Sequence, residues 1–366
     1  MKKLVVIIFL ISLVSLRSFS QSKNNLAVIA YYAGKSTSQI DSFPIEKLTH
    51  IIFSFCHLSG NQLHVDRAID TAMIQKMVSL KQRNPSLKVL LSLGGWGGCS
   101  TCSDVFSTKE GRKEFAESVK TVSNYFGTDG LDLDWEYPAI EGFPNHKFQK
   151  EDKENFTALI KQLRKTLGNQ FIISFAAGGF GKYIDQSIDW KKIAKKVNYV
   201  NLMTYDLVSG FATKTGHHTP LYSTDSQIES IDNAIQKLVS YKVPKSKLVI
   251  GAAFYGRMWG DVPDTNSGLY QPGKFVRGIS FKNFQSQLSV DSGFVYYWDD
   301  KAMAPYLYNK SQHLFVTYDD KRSIELKTKY ALDKKLGGIM FWQLTEDSYE
   351  DGLLDVIDET KFHKAK

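Results

Sequence analysis

Cysteine is scarce, with three in 366 residues, so the chain is not a disulfide-built scaffold. No apolar run reaches bilayer length. The longest, Val5–Val14, sits at the extreme N-terminus, whereas about 20 residues are needed to span a membrane as a helix. No glycine-rich phosphate fingerprint follows the first apolar segment after it, Leu26–Tyr32, which argues against a nucleotide-binding doubly wound sheet. The 46 Lys and Arg outnumber the 38 Asp and Glu. Yet the lysines are scattered rather than grouped with aromatics, so no nucleic-acid partner is expected. No repeat, linker or second module is visible.

What is present is ample core material: 43% of residues are apolar and 13% aromatic. Lys2 and Lys3, the run Val5–Val14 and Ser18-Phe19-Ser20 have the charged start, apolar middle and small-residue cleavage site of a signal peptide over 1–20. The expected mature protein is secreted (extracellular or periplasmic), with no membrane anchor, and is a monomer. Its formal charge of +8 falls when Lys2, Lys3 and Arg17 leave. Cys99-Ser-Thr-Cys102 is a disulfide candidate that would close a small loop. A zinc site would need further ligands, and His57 is the one nearby candidate, so no metal is expected. Cys56 ends an apolar run and reads as a buried thiol.

Eight short apolar segments read as strands: Leu26–Tyr32, Thr49–Phe55, Lys88–Leu93, Gly130–Tyr137, Phe171–Ala176, Tyr199–Tyr205, Leu248–Phe254 and Gly338–Trp342. Between them lie helical stripes: Phe115, Val119, Val122 and Phe126; Phe156, Leu159, Ile160 and Leu163; Ile228, Ile231, Ile235 and Leu238. Each stripe spaces its apolar residues three or four apart, as a helix with one buried face requires. Apolar strands alternating with such helices predict an α/β fold, a closed (β/α)8 TIM barrel. About sixty residues after the seventh strand break the rhythm, too many for a structureless loop. Within them, Gly293–Trp298 and His313–Tyr318 read as antiparallel strands.

The most informative stretch is Asp129-Gly-Leu-Asp132-Leu-Asp134-Trp-Glu136-Tyr-Pro138, with four carboxylates in eight residues. Asp132, Asp134 and Glu136 alternate with Leu131, Leu133 and Trp135, the period of a strand. Like charges along one strand face oppose each other's ionisation, which is costly for folding but useful where one carboxyl must keep a proton. A calcium loop would place Gly at its sixth position; counting from Asp132, that residue is Tyr137. A solvated acidic loop would not interleave two leucines and a tryptophan. Asp129 has the wrong parity for the same face and reads as structural.

This segment resembles the DxxDxDxE signature of the glycoside hydrolase family 18 chitinases. Ser92-Leu-Gly94-Gly95-Trp96, Met203-Thr-Tyr205-Asp206, Phe254-Tyr255-Gly256-Arg257 and Gly337-Gly338-Ile-Met-Phe-Trp342 resemble further motifs of that family, in its order. The resemblance spans roughly Val28 to Ile357. It implies a barrel over 25–258 and 321–366, with a small α+β insertion over 259–320 between the seventh strand and helix. It also implies chitinase activity on chitin or chitooligosaccharides without a cofactor, the sugar's own acetamido group acting as nucleophile.

By that resemblance Glu136 is the general acid, Asp134 holds the acetamido N–H, Asp132 shares a proton with Asp134, and Tyr205 aims the acetamido oxygen. Asp206, Arg257, Trp342, Trp96, Trp259, Tyr31 and Ser92 are the expected substrate-binding or supporting residues, while Trp190 and Trp298 are read as core. Two other activities stand beside this one. One is an endo-β-N-acetylglucosaminidase acting on glycoprotein glycans or peptidoglycan; the other is a chitin-binding lectin. Retention of Glu136, Asp134 and Tyr205 weighs against the lectin.

Overall fold

The computed structural model describes residues 26–363. The signal peptide expected over 1–20 lies outside them. Eight parallel strands form the central barrel: β1 (Ala27–Tyr32), β2 (His50–Ser59), β4 (Lys88–Gly94), β5 (Gly130–Asp134), β6 (Ile172–Gly178), β7 (Tyr199–Met203), β8 (Leu248–Ala253) and β14 (Gly338–Trp342). β1 pairs with both β14 and β2, which closes the ring. β3 (Gln62–His64) forms an antiparallel hairpin with the end of β2, a pairing the sequence reading did not anticipate.

Alternate residues on each strand serve two packing layers. Ala27, Ile29, Tyr31, Ile52, Leu90, Val249, Ala253 and Met340 pack together in one cluster. Val28, Ile51, Leu91, Leu131, Leu133 and Ile250 belong to the larger core, with the apolar stripes of the helices. Both faces are therefore dry, which explains why the strands read as continuous apolar runs. The helix Lys109–Phe126 starts where Thr108 accepts a hydrogen bond from the Gly111 N–H (2.9 Å) and ends at Gly127, φ +74°. It buries Phe115 and Val119. The helix expected from Ile228 instead begins at Ile231, because Ser230 caps it and leaves Ile228 71% exposed.

A second, antiparallel sheet lies between β8 and the helix Lys321–Asp333. Its strands are β9 (Tyr255–Gly260), β10 (Lys274–Ser280), β11 (Val295–Asp299), β12 (Ala304–Asn309) and β13 (Leu314–Thr317), in the order β10-β9-β13-β12-β11. Its first strand opens at Tyr255, so a boundary at 259 would fall inside β9. Only Phe254 separates β8 from β9. This sheet has its own apolar clusters, one around Met258 and Val316 and one around Trp259 and Phe315. No described helix is long and apolar enough to cross a membrane.

Candidate active site

The acids of the central motif sit at the C-terminal end of β5, the end where barrels of this kind carry their sites. Asp132 pairs in register with Ser92 on β4 and Ser174 on β6, while Asp134 lies beside Gly94. The close approach at Gly94 requires glycine: its φ is +110°, and a Cβ would lie 2.2 Å from the Asp134 carbonyl oxygen. β5 stops at Asp134. Glu136, expected on the same strand face, stands in the loop just beyond and is half-buried.

Asp132 is fully buried and surrounded by neutral donors. Its Oδ2 accepts from Ser92 Oγ (2.9 Å) and Tyr31 OH (3.1 Å). Its Oδ1 accepts from Ser174 Oγ (2.6 Å) and Asn201 Nδ2 (3.1 Å). Burial raises its pKa and these hydrogen bonds act against the rise. Tyr31 and Ser92, both singled out from sequence, thus share one oxygen of Asp132. Ser174 and Asn201 were missed, although Asn201 sits in the same short run as Met203 and Tyr205. Their only signal is a single polar residue at inward parity in an apolar strand.

Asp134 is 4% exposed, and its Oδ1 is buried with no hydrogen-bond partner among the described residues. Burial, then the charges of Glu136 and Asp132, push its pKa well above the carboxylate range. Burial also lifts Glu136 to about 7; Asp206 adds to the rise, while a hydrogen bond from Tyr137 opposes it. Asp134 thus feels both neighbouring carboxyl groups, and none of the three has an ion-pair partner among the described residues.

Tyr205 lies in the buried cluster with Tyr31, Tyr255, Met340 and, at its margin, Trp342. Burial, and then Asp134, Glu136, Asp206 and Asp132 in that order, raise its pKa well above the usual value. Its hydroxyl therefore stays protonated and able to donate. Asp206, at a left-handed φ of +56°, makes a two-point ion pair with Arg257 on β9. Despite burial, His218 (Nδ1 3.5 Å away) and Arg257 hold the Asp206 carboxyl well below the normal carboxylate range. Arg257 also lies over the rings of Tyr255 and Phe275, each at 5.5 Å.

Aromatic residues flank these acids. Trp342, half-buried at the end of β14, stacks on Phe55 with centroids 5.6 Å apart and meets Tyr31 at 5.9 Å. Trp96 is 47% exposed and faces Phe143 (5.5 Å) and Phe211 (6.3 Å). Phe55, Phe143 and Phe211 were not singled out from sequence. Trp259 was expected to be a sugar platform, and the structure overturns this. It is 0% exposed, its Nε1 donates to the Ala212 carbonyl (3.0 Å), and its ring packs against Phe315 inside the second sheet. Trp190 is buried as expected, whereas Trp298 is half-buried beneath the Arg322 guanidinium, 3.7 Å above the ring. Asp129 lies at the start of β5, bound to the Val89 N–H (2.8 Å) and Lys81 (2.7 Å), away from the other acids. Cys99 and Cys102 are bonded to each other, Cα atoms 5.2 Å apart, in the loop after β4; Cys56 is a buried free thiol.

The family model described as glycosyl hydrolases family 18 matches residues 27–347. Chitinase A1 of Niallia circulans is 34% identical over 75% of this chain, which spans 42% of that relative's length. Chitinase B of Serratia marcescens is 30% identical, covering 88% of this chain and 77% of its own. Among solved structures, a family 18 N-acetylglucosaminidase from Paenibacillus barengoltzii superposes with a TM-score of 0.83 at 35% identity, over 92% of this chain and 99% of that one. A group IV chitinase of Ostrinia furnacalis, solved with allosamidin, gives 0.85 at 26% identity over 93% and 100%. The chain belongs to glycosyl hydrolases family 18.

Proposed function

We propose that this glycoside hydrolase is a secreted, monomeric chitinase that cleaves β-1,4-linked N-acetylglucosamine polymers with retention, using the substrate's acetamido group as nucleophile. Glu136, with its pKa lifted to about 7, protonates the glycosidic oxygen. The acetamido oxygen attacks the anomeric carbon as the bridge breaks, giving an oxazolinium ion and a free sugar hydroxyl. Asp134, whose Oδ1 is unpartnered, receives the acetamido N–H. Asp132 takes up or returns the proton shared with Asp134, steadied by Tyr31 and Ser92. The Tyr205 hydroxyl directs the acetamido oxygen. Glu136, now ionised, then deprotonates water, which opens the oxazolinium ring on the face from which the leaving group departed.

Asp206 and Arg257 hydrogen-bond sugar hydroxyls about the cleaved bond. Trp342 stacks beneath one sugar and Trp96 beneath another on the leaving side. The observation that carries this reading is the pair of buried Asp132 and Asp134, with no cation bound to them among the described residues, next to the half-buried Glu136 and a protonated Tyr205. Secretion rests on residues 1–20 alone. Product analysis by mass spectrometry on chitin, peptidoglycan and an N-glycoprotein in parallel tests the substrate. Chitooligosaccharides from chitin alone are expected; release from either other polymer, with chitin untouched, sinks the assignment. One observation favours a second reading, release of single N-acetylglucosamine units: the Paenibacillus barengoltzii neighbour, matched over nearly its whole length, is named an N-acetylglucosaminidase. Monomer as the sole initial product would select it.

A further inference from the structure

The helices Lys109–Phe126 and Asp152–Leu167 follow β4 and β5 and lie side by side on the outside of the barrel. Between them runs a groove of about 640 Å³ lined by Lys109, Lys113, Lys120, Lys165, Glu117 and three uncharged residues, Thr121, Gln162 and Thr166. All four lysines are exposed. Lys113 is 3.8 Å from Glu117, a loose and solvated pair. Lys109, Lys120 and Lys165 have no ion-pair partner among the described residues. Positions 109, 113 and 120 fall within about 40° of one another around a helix and span about 16 Å along it. They form a stripe of point charges rather than a cluster.

From this we infer that the groove is a second binding site, for a linear polyanion whose charges are phosphate or sulfate esters. Cations spaced along an open trough match a chain of repeated anions and not a compact ligand. Lysine ammonium groups on flexible stems accept irregular anion spacing, where arginine forks would demand fixed geometry. Threonine and glutamine between the charges supply hydrogen bonds to ester oxygens. No aromatic residue lines the groove, so it lacks the stacking surface by which single-stranded nucleic acid is held. None of its residues contributes to the acid cluster. The groove would therefore anchor the protein to an anionic matrix while the barrel mouth stays open to its own substrate.

The test measures binding of the full chain to dextran sulfate and to dextran phosphate at low salt, with neutral dextran and single-stranded DNA of matched charge as comparators. The triple variant Lys109→Gln, Lys120→Gln, Lys165→Gln should bind both polyanions at least about tenfold more weakly, with a shallower salt dependence. Glu117→Gln should bind them more tightly. Hydrolytic activity should be unchanged in both. A control triple, Lys191→Gln, Lys195→Gln, Lys242→Gln, removes the same charge elsewhere and should change affinity less than about twofold. An equal loss in the control would reduce the effect to net charge and overturn the site. So would tighter binding of the DNA than of either ester polymer, or no polyanion binding by the parent protein. Binding of only the sulfate or only the phosphate polymer upholds the groove and names its ester.

Discussion

Asp319 and Lys327 are 1% and 0% exposed, and the lysine Nζ lies 2.6 and 2.7 Å from the two carboxylate oxygens. The same Nζ reaches Thr219 Oγ1 at 2.6 Å, while Asp319 also accepts from Ser323 Oγ (2.7 Å) and the Ala253 N–H (3.0 Å). Asp132, equally buried, has four donors and no cation, and Asp134 next along the strand face has an oxygen with no partner, among the described residues. Both regions are dry, and both hold carboxyl groups. The first is closed electrically: its charge is cancelled where it arises, and it joins β8, the Thr219 loop and the helix Lys321–Asp333. The second is left open, so its protons can move. Burial alone does not mark a catalytic carboxyl, and what separates these two clusters is the counter-charge that one holds and the other lacks.

The largest effect should come from the open cluster. Glu136→Gln is expected to lower turnover of chitooligosaccharides by about 10²–10⁴-fold while leaving their binding, measured by calorimetry, largely intact. Turnover near the parent value would end its role as acid. The two regions should then separate in a paired experiment. Lys327→Met strands the Asp319 charge and should cost about 3–5 kcal/mol in urea unfolding. Asp132→Asn should cost far less stability but depress turnover. If the two variants behave alike in both measurements, the distinction between closed and open clusters fails.

The pH dependence offers a subtler check. Because the Glu136 pKa is raised to about 7, the acid form persists up to that pH, and kcat/KM should fall as pH climbs through it. Folding follows the same sign. A carboxyl raised above its unfolded value of 4.5 to about 7 favours the folded state below 4.5, and that contribution disappears as pH rises across the interval. Thermal unfolding of Glu136→Gln should therefore gain on the parent between pH 5 and pH 8. An unchanged difference across that range would place the proton elsewhere. The smallest effect is expected at the rim: Trp96→Ala should weaken binding of longer oligosaccharides by roughly tenfold or less, with short substrates little altered, in a titration of tryptophan fluorescence.

Much of this layout was legible because burial on both strand faces leaves near-continuous apolar runs, and all eight barrel strands were marked by them. The acidic motif was legible for the opposite reason, since charge inside such a run is rare. Parity then misled: Glu136 was placed on the strand, whereas β5 ends two residues earlier. Ser174 and Asn201 were invisible because one small polar residue in an apolar strand has many structural uses. Trp259 was misjudged because indole chemistry suits a sugar platform and a sheet core equally well, and only the fold tells them apart. Ile228 continued a helical spacing that the Ser230 cap cuts short.

The single residue between β8 and β9 has a mechanical consequence. The chain leaves the barrel and starts the neighbouring sheet through one residue whose N–H is held by the Trp342 carbonyl and whose own carbonyl is held by the Phe281 N–H, so little slack is left there and Arg257 stays close to the ring. Retuning the outer face of this sheet would fall to β10 and to Val295 and Tyr296 of β11, whose solvent-facing side chains can be exchanged while the catalytic frame stays still.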